Sequence, residues 1–441
     1  MAVNMIRDVV AGAAVLGILV LLHEWGHFVV AKLCGVRVDV FSVGFGPRLW
    51  GVKRGDTDYR VSALPLGGYV RMAGDNPVEE RSGAPYEFLS RPRWQRFLIA
   101  VAGPFTNILA TFVIFWAIYA FVGMPTDAYL RQPADVAAVP LSSANVSPIR
   151  PGDRILEVNG VQTATWGKAT SQIEKAKAGS SLSLVVLRSG SRQALTVRVP
   201  QSRTAIDTLA GYPLLPPVIE DVQPGSPASK SGMKPGDTIV SINGQPVVTW
   251  LQLVDRVRGS EGHSVQFLVR RDGKDVQLDI TPMQSMTPDG ETAWLIGASR
   301  KADEVFEHQG LVASVKDAAA ETYLYASLIG DVVAGLFRGQ LSVRDLAGPV
   351  GIVQLSGQAA KGGAITLLNW MAYISLDLGL LNLLPIPILD GGHVLMLAIE
   401  GTLRRDLSIT FKERFVQVGL VFLLGLFAFV MYSDILRLVH Q

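Results

Sequence analysis

A single cysteine, Cys34, in 441 residues excludes an intrachain disulfide framework and any multi-cysteine metal site. A metal would have to be held by histidines and carboxylates, and the chain has only six histidines. Charge is scarce too. Charged residues make up 18% of the chain, and 40 basic against 38 acidic side chains leave a net charge of +2. That is too even for the electrostatic footprint of a nucleic-acid-binding protein, so no DNA or RNA partner is expected. What the chain has in excess is apolar: 49% of it is hydrophobic and its mean hydropathy is +0.31, which points to a membrane protein.

Four stretches are long enough to cross a hydrocarbon core, near residues 9 to 30, 97 to 122, 365 to 389 and 415 to 432. A secretory signal peptide would also explain an apolar N-terminus, with Ala11 to Ala14 as its small-residue region. The apolar run continues past Leu22 to Val30, however, and no processing site follows it, so it reads as a retained span. Eleven Lys and Arg residues lie between Lys32 and Arg96, and Arg404, Arg405, Lys412 and Arg414 mark the third loop. The positive-inside rule puts both loops in the cytoplasm, with both termini and the long segment from about 123 to 310 on the opposite side.

That segment repeats itself. Arg150 to Gly160 (RPGDRILEVNG) matches Lys234 to Gly244 (KPGDTIVSING) at an offset of 84 residues. Each copy reads as a Pro-Gly-Asp turn, a short alternating strand and an Asn-Gly turn that tolerates positive φ. Strand-like runs at Ser181 to Arg188, Ala194 to Val199, Val265 to Arg270 and Val276 to Ile280 complete two small β-rich domains. Thr281 to Thr292 has the composition of a linker. Beyond it, Leu324, Leu328, Val332 and Leu336 predict an amphipathic helix, which either packs on the β-rich domains or lies in the membrane interface.

The chemistry concentrates at His23-Glu24-Trp25-Gly26-His27, an HExxH pattern. Residues i and i+4 share a helix face, so two imidazoles can bind one metal while the Glu between them reaches the water that the metal activates. As ordinary polar residues of a buried helix these groups would be expensive, since a charge near the bilayer centre costs about 2.5 to 3.5 kcal/mol. A third ligand is needed. His263 and His308 fall on the far side of the membrane, which leaves Asp377, Asp390 and His393. Pro385 and Pro387 before Asp390, and Gly391 and Gly392 after it, break the helix there. Broken helices at membrane depth occur where they line a cavity, so Asp390 is the best candidate and His393 reads as a polar residue near the membrane edge. Tyr59 to Val70, preceded by alternating Val36, Val38 and Val40, reads as strands dipping into the membrane. Pro65 and the Gly67-Gly68 pair suggest an open sheet edge where Gly67, Gly68 and Tyr69 would meet a substrate strand, the alternative being a re-entrant loop that only plugs the cavity.

Together these motifs resemble the site-2 proteases, most closely the bacterial regulator of sigma-E protease branch with tandem PDZ domains. The resemblance spans nearly the whole chain, through the HExxH, Gly44-Phe-Gly-Pro47, Pro65 to Val70, Ala102-Gly-Pro-Phe-Thr-Asn107, Gly348-Pro-Val-Gly351 and the run from Asn382 to Gly391. It implies His23, His27 and Asp390 as zinc ligands, Glu24 as catalytic base and Asn382 as a polar group holding the substrate backbone. Asp377 stands where the family usually has Asn, and it would bear on substrate binding there. The expected fold is a polytopic α-helical membrane protein of four transmembrane helices, with a membrane re-entrant β element and two inserted β-rich PDZ-like domains. The expected boundaries are 1–122 for the first two spans, 123–205 and 206–285 for the PDZ-like domains, 286–364 for linker and amphipathic helix, and 365–441 for the last two spans.

The implied function is zinc-dependent cleavage, inside the membrane, of pre-trimmed single-span proteins of the anti-sigma factor type, with remnant signal peptides as a second substrate class. The implied setting is the bacterial inner membrane, in contact with its lipid, with the PDZ-like domains periplasmic and the active site towards the cytoplasm. Those domains would either bind peptide termini or exclude bulky substrates. In the first copy Pro148 replaces Gly232, and Ser143-Ala144 only partly matches Pro227-Ala228, which argues for weaker peptide binding there. A membrane scaffold presenting PDZ modules is the alternative, and it leaves the HExxH and Leu-Asp-Gly pairing unexplained.

Overall fold

The computed structural model describes residues 2–75, 82–140, 148–199, 209–286, 292–300, 303–308, 310–339 and 348–439. It divides into a helical unit, residues 1–124 and 308–440, and a β-rich unit, essentially residues 125–307. Ser143 and Ala144 lie outside the described residues, as does most of the expected linker after residue 286.

Among the described residues of the helical unit, four helices are long and apolar enough to cross a membrane: Met5–Leu33, Arg93–Val122, Ala364–Asn382 and Ile409–Asp434. The first span belongs to helix α1 (Ala2–Leu33), about 48 Å long at 1.5 Å per residue. Gly35 stops it by taking φ 72°, which lets Gly35 and Val36 donate to the carbonyls of Lys32 and Ala31. Two long bent strands follow, β1 (Val38–Arg54) and β2 (Thr57–Met72). Each bends back on its partner, so Val43 faces both Val61 and Gly68. The strand order across this sheet is 48–54, 57–64, 38–45, 67–72, which leaves the last segment as an edge. The bends fall at Gly44, Gly46 and Gly67, with φ of 88°, 89° and 96°, where a side chain would be strained.

Helix α2 (Arg93–Ala117) contains Pro104. Helix α3 (Leu311–Phe337) is the expected amphipathic helix, and it packs on α2 and on the third span, with the Tyr325 and Tyr373 rings 4.1 Å apart. Helix α4 (Pro349–Lys361) packs on α1. Its N-terminal N–H groups at Gly348, Val350 and Gly351 all donate to the Asp434 carboxylate from the last span, satisfying donors that a helix start leaves open. Helix α5 (Ala364–Asn382) is the third span and ends seven residues before the expected 389, because Pro385 and Pro387 cannot continue it. Helix α6 (Asp390–Leu403) and helix α7 (Ile409–Val439) complete the unit.

The β-rich unit holds the two expected copies, each a four-stranded antiparallel sheet with the same order. In the first it is 161–162, 154–158, 181–188, 191–198; in the second, 245–246, 238–242, 265–271, 274–280. Asn159-Gly160 and Asn243-Gly244 take positive φ at both positions, as a two-residue hairpin turn requires. The repeated Asp has one job in both. Asp153 takes a bidentate pair from Arg188 and Asp237 one from Arg271, every N···O distance 2.7 Å, while the N–H of Arg150 or Lys234 donates to the same carboxylate at 2.8 Å. Burial alone would raise both carboxyl pKa values, but the guanidinium and backbone donors hold both below the ordinary value. The second copy extends beyond the expected boundary at 285. Residues 283–286 pair with 292–295, and Ala298–Ser299 pairs with Asp221–Val222. Pro, Thr, Ser and Gly give Thr281 to Thr292 the composition of a linker, but residues 283–286 find hydrogen-bond partners in 292–295.

Candidate metal centre

His23 and His27 project from one face of α1, and both are 8% exposed. Backbone proximity makes the room for them. A Cβ on Gly103 of α2 would lie 2.3 Å from His27 Nε2 and 2.7 Å from His23 Nε2, and one on Gly26 of α1 would lie 2.5 Å from the Ala102 carbonyl. The two glycines let α1 and α2 cross backbone to backbone, with the imidazoles filling the gap. Pro104 removes the N–H that would meet the carbonyl of Ala100, and in this loosened turn Ile99 O accepts from His27 Nδ1 at 2.7 Å.

The carboxylate arrives from the other end of the chain. After α5, the segment Leu383 to Leu389 folds tightly over the start of α6, where Asp390 is the first residue. A Cβ on Gly391 would lie 2.1 Å from Leu384 O, and one on Gly392 2.4 Å from Ile386 O, so only glycine fits at either position. Gly419 of α7 plays the same part from outside, where a Cβ would strike Pro387 at 2.2 Å. Ile388 sits at φ 83°, a conformation that a β-branched residue resists at a cost of about 1–3 kcal/mol. The strain buys the placement of Asp390.

The result is a triangle: His23 Nε2 to Asp390 Oδ2 3.0 Å, His27 Nε2 to Asp390 Oδ1 3.4 Å, and His23 Nε2 to His27 Nε2 3.2 Å. Among the described residues this is the one group of three or more His, Cys, Asp or Glu side chains whose ligand atoms converge within 4.8 Å. Tetrahedral zinc with bonds of about 2.0–2.1 Å holds its ligand atoms about 3.3 Å apart, so the donor set fits zinc in both chemistry and spacing. A proton could satisfy one edge of the triangle, whereas a cation satisfies all three.

The triangle lies in a cavity of about 500 Å³ lined also by Glu24, Val70, Asp75, Asn107, Asn382 and His393. Glu24 Oε2 accepts from the Val70 N–H at 3.1 Å, which ties the edge segment 67–72 to the HExxH helix. Gly68 is close enough that its Cβ would lie 3.8 Å from Glu24 Cγ and 2.6 Å from Ser42 O. Tyr69 stacks on Phe45, their ring centroids 5.9 Å apart, and the Gly67 position faces Phe45 and Val20. Asp377 is not among the residues lining the cavity, and it makes no hydrogen bond or ion pair among the described residues. His393 lines the cavity without joining the triangle. Gly103, Asn107 and Ile388 were not singled out from the sequence. Only the Gly-Pro-Phe-Thr-Asn run and the doubled prolines pointed to their neighbourhoods.

Residues 11–426 match peptidase family M50. The chain belongs to that family. Over 98% of this chain and 99% of the relative, it is 32% identical to the regulator of sigma-E protease RseP of Escherichia coli. It is likewise 32% identical to the regulator of sigma E protease of Haemophilus influenzae, over 96% and 97% of the two chains. A Vibrio cholerae relative whose name carries the words zinc metalloprotease is 30% identical over 99% and 100%. This M50 chain is a site-2-type intramembrane zinc metalloprotease and a multi-pass inner-membrane protein.

Proposed function

We propose that His23, His27 and Asp390 hold the zinc, that Glu24 is the general base, and that the edge segment 67–72 receives the substrate as an added strand. The observation that carries this reading is the position of that edge. The Val70 N–H reaches the Glu24 carboxylate, whose neighbours along the helix are two corners of the donor triangle. Zinc, when bound, supplies a Lewis acid that makes water nucleophilic near neutral pH. Glu24 takes the proton from the attacking water and returns it to the leaving amine. Asn382, at the end of α5 and lining the same cavity, grips the freed substrate backbone.

Alternation along a strand fixes which groups the edge offers. With the Val70 N–H turned outward, those of Gly68 and Met72 turn outward too. The Val70 donor is used by Glu24 and the Met72 donor by Asp75, at 2.9 Å. Gly68 is left as the outward donor for a substrate carbonyl. A transmembrane peptide substrate with single backbone esters in place of amides tests this. Cleavage should fall about tenfold at every second position, the worth of one or two hydrogen bonds. Uniform tolerance would sink strand addition.

The natural substrates on this reading are single-span proteins of the anti-sigma factor type already trimmed outside, and remnant signal peptides. The sheet formed by β1 and β2 is then the re-entrant element, entering the bilayer from the cytoplasmic side. The two β-rich copies are PDZ-like domains in the periplasm. In the second, a cavity of about 400 Å³ between helix Trp250–Arg258 and residues 294–299 is on this reading the place for a peptide end. Thiol labelling decides the orientation. In intact cells a membrane-impermeant reagent should leave Cys34 unmodified and should modify Asn243→Cys made in a Cys34→Ser chain; the reverse pattern overturns the topology.

A further inference from the structure

Asn107 lies on α2 one turn after Gly103, is 0% exposed, and lines the cavity of the donor triangle. Its backbone carbonyl accepts from the Thr111 and Ser375 hydroxyls at 3.0 and 2.9 Å, so the residue is held in place whatever its side chain does. The side-chain nitrogen Nδ2 sits 3.5 Å from His23 Nδ1, while the side-chain oxygen Oδ1 is buried with no donor among the described residues.

Both facts concern the same amide. A histidine that gives its Nε2 lone pair to a metal carries its proton on Nδ1, so Nδ1 of His23 is a donor. It then faces the donor end of an amide whose acceptor end has nothing to accept. Turning the amide by 180° exchanges two atoms of nearly equal size and sets an acceptor, Oδ1, opposite the His23 Nδ1–H. The second ligand already has such a partner, because His27 Nδ1 lies 2.7 Å from Ile99 O. His23 lacks an equivalent backbone carbonyl among the hydrogen bonds described, and Asn107 is the polar side chain beside its Nδ1.

We propose that Asn107 is the positioning residue of the zinc site: its Oδ1 accepts the Nδ1–H of His23, fixing the tautomer and the ring plane that present Nε2 to the metal. This rests on His23 being a zinc ligand. The side chain does not touch the reacting atoms. Without an acceptor there, His23 can place its proton on Nε2, which blocks metal binding, and its ring is free to turn out of the triangle.

The test uses the detergent-purified full chain, with zinc affinity read by competition against a chromophoric chelator and the ligand field read from the visible bands of the cobalt(II)-loaded protein. Asn107→Leu, close to isosteric but without an acceptor, should bind zinc about 10- to 100-fold more weakly, the usual cost of losing an outer partner of a ligating histidine, and should shift the cobalt bands. Asn107→Asp keeps the acceptor and removes the nitrogen, so it should bind zinc comparably to the unmodified chain and leave the bands in place. Unchanged affinity in Asn107→Leu, or a loss in Asn107→Asp as large as in Asn107→Leu, overturns the proposal. Should Asn107→Leu fail to fold, Asn107→Ala, which also lacks an acceptor, takes its place with the same expected and overturning results. His23→Ala separates the two levels: if it keeps full zinc affinity, the ligand assignment has failed rather than the role of Asn107.

Discussion

Glu24→Gln should leave the protein folded and zinc bound while lowering proteolysis by about 10²- to 10⁴-fold, the range that a positioned general base contributes. The reasons are local. The amide keeps an oxygen that can accept the Val70 N–H, so the edge segment 67–72 remains tied to α1. The donor triangle of His23, His27 and Asp390 is untouched, because Glu24 is not a corner of it. What is lost is the ability to take a proton from water. Measuring zinc per chain alongside cleavage of a transmembrane peptide separates the outcomes. Full activity would remove Glu24 from the mechanism, and loss of zinc would move it into the ligand set.

Asp390→Ala should act on the metal itself. Asp390 makes two of the three edges of the triangle and supplies its only negative charge, so removing it leaves two neutral imidazoles. Zinc binding should weaken beyond the roughly 10- to 100-fold typical of losing an outer partner, and proteolysis should vanish with it. The fold should survive. Losing a carboxylate from the first position of α6 costs about 0.3–1 kcal/mol through the helix dipole, and the close packing of Gly391 and Gly392 does not depend on it. Metal content after dialysis against a chelator is the readout. Unchanged zinc would disqualify Asp390 and make His393, which lines the same cavity, the next ligand to substitute.

The donor set was legible because each half of it is written locally. The i, i+4 histidine pair needs only a helix, and the Pro-x-Pro-x-x-Asp-Gly-Gly run announces its own break. The two β-rich copies were equally plain, since the Pro-Gly-Asp and Asn-Gly turns encode their geometry in neighbouring residues. What stayed hidden depends on pairs of elements. Gly103 matters only because α1 crosses α2 at Gly26, and nothing in either sequence states that crossing distance. Asn107 acquires meaning only beside the His23 ring. The end of the third span was placed too late because hydropathy continues through Leu383, Leu384 and Ile386 after the helical hydrogen bonds have stopped. Asp377 falls in a run that resembles the family's, which suggests a place beside the substrate, yet it is not among the residues that line the cavity.

The triangle also has a history within each molecule's synthesis. His27 and Asp390 are 363 positions apart. At roughly 5–20 residues per second a ribosome needs about 20 to 70 seconds to travel between them. Through that interval the nascent chain holds two imidazoles and a base in a membrane crowded with other helices, and no carboxylate to complete the set. With Asp390 as third ligand, competence arrives only once the broken segment before α6 has been made, and Pro387 of that segment packs closely against Gly419 of the last span. On that reading, latency during biogenesis is written into the order of the residues.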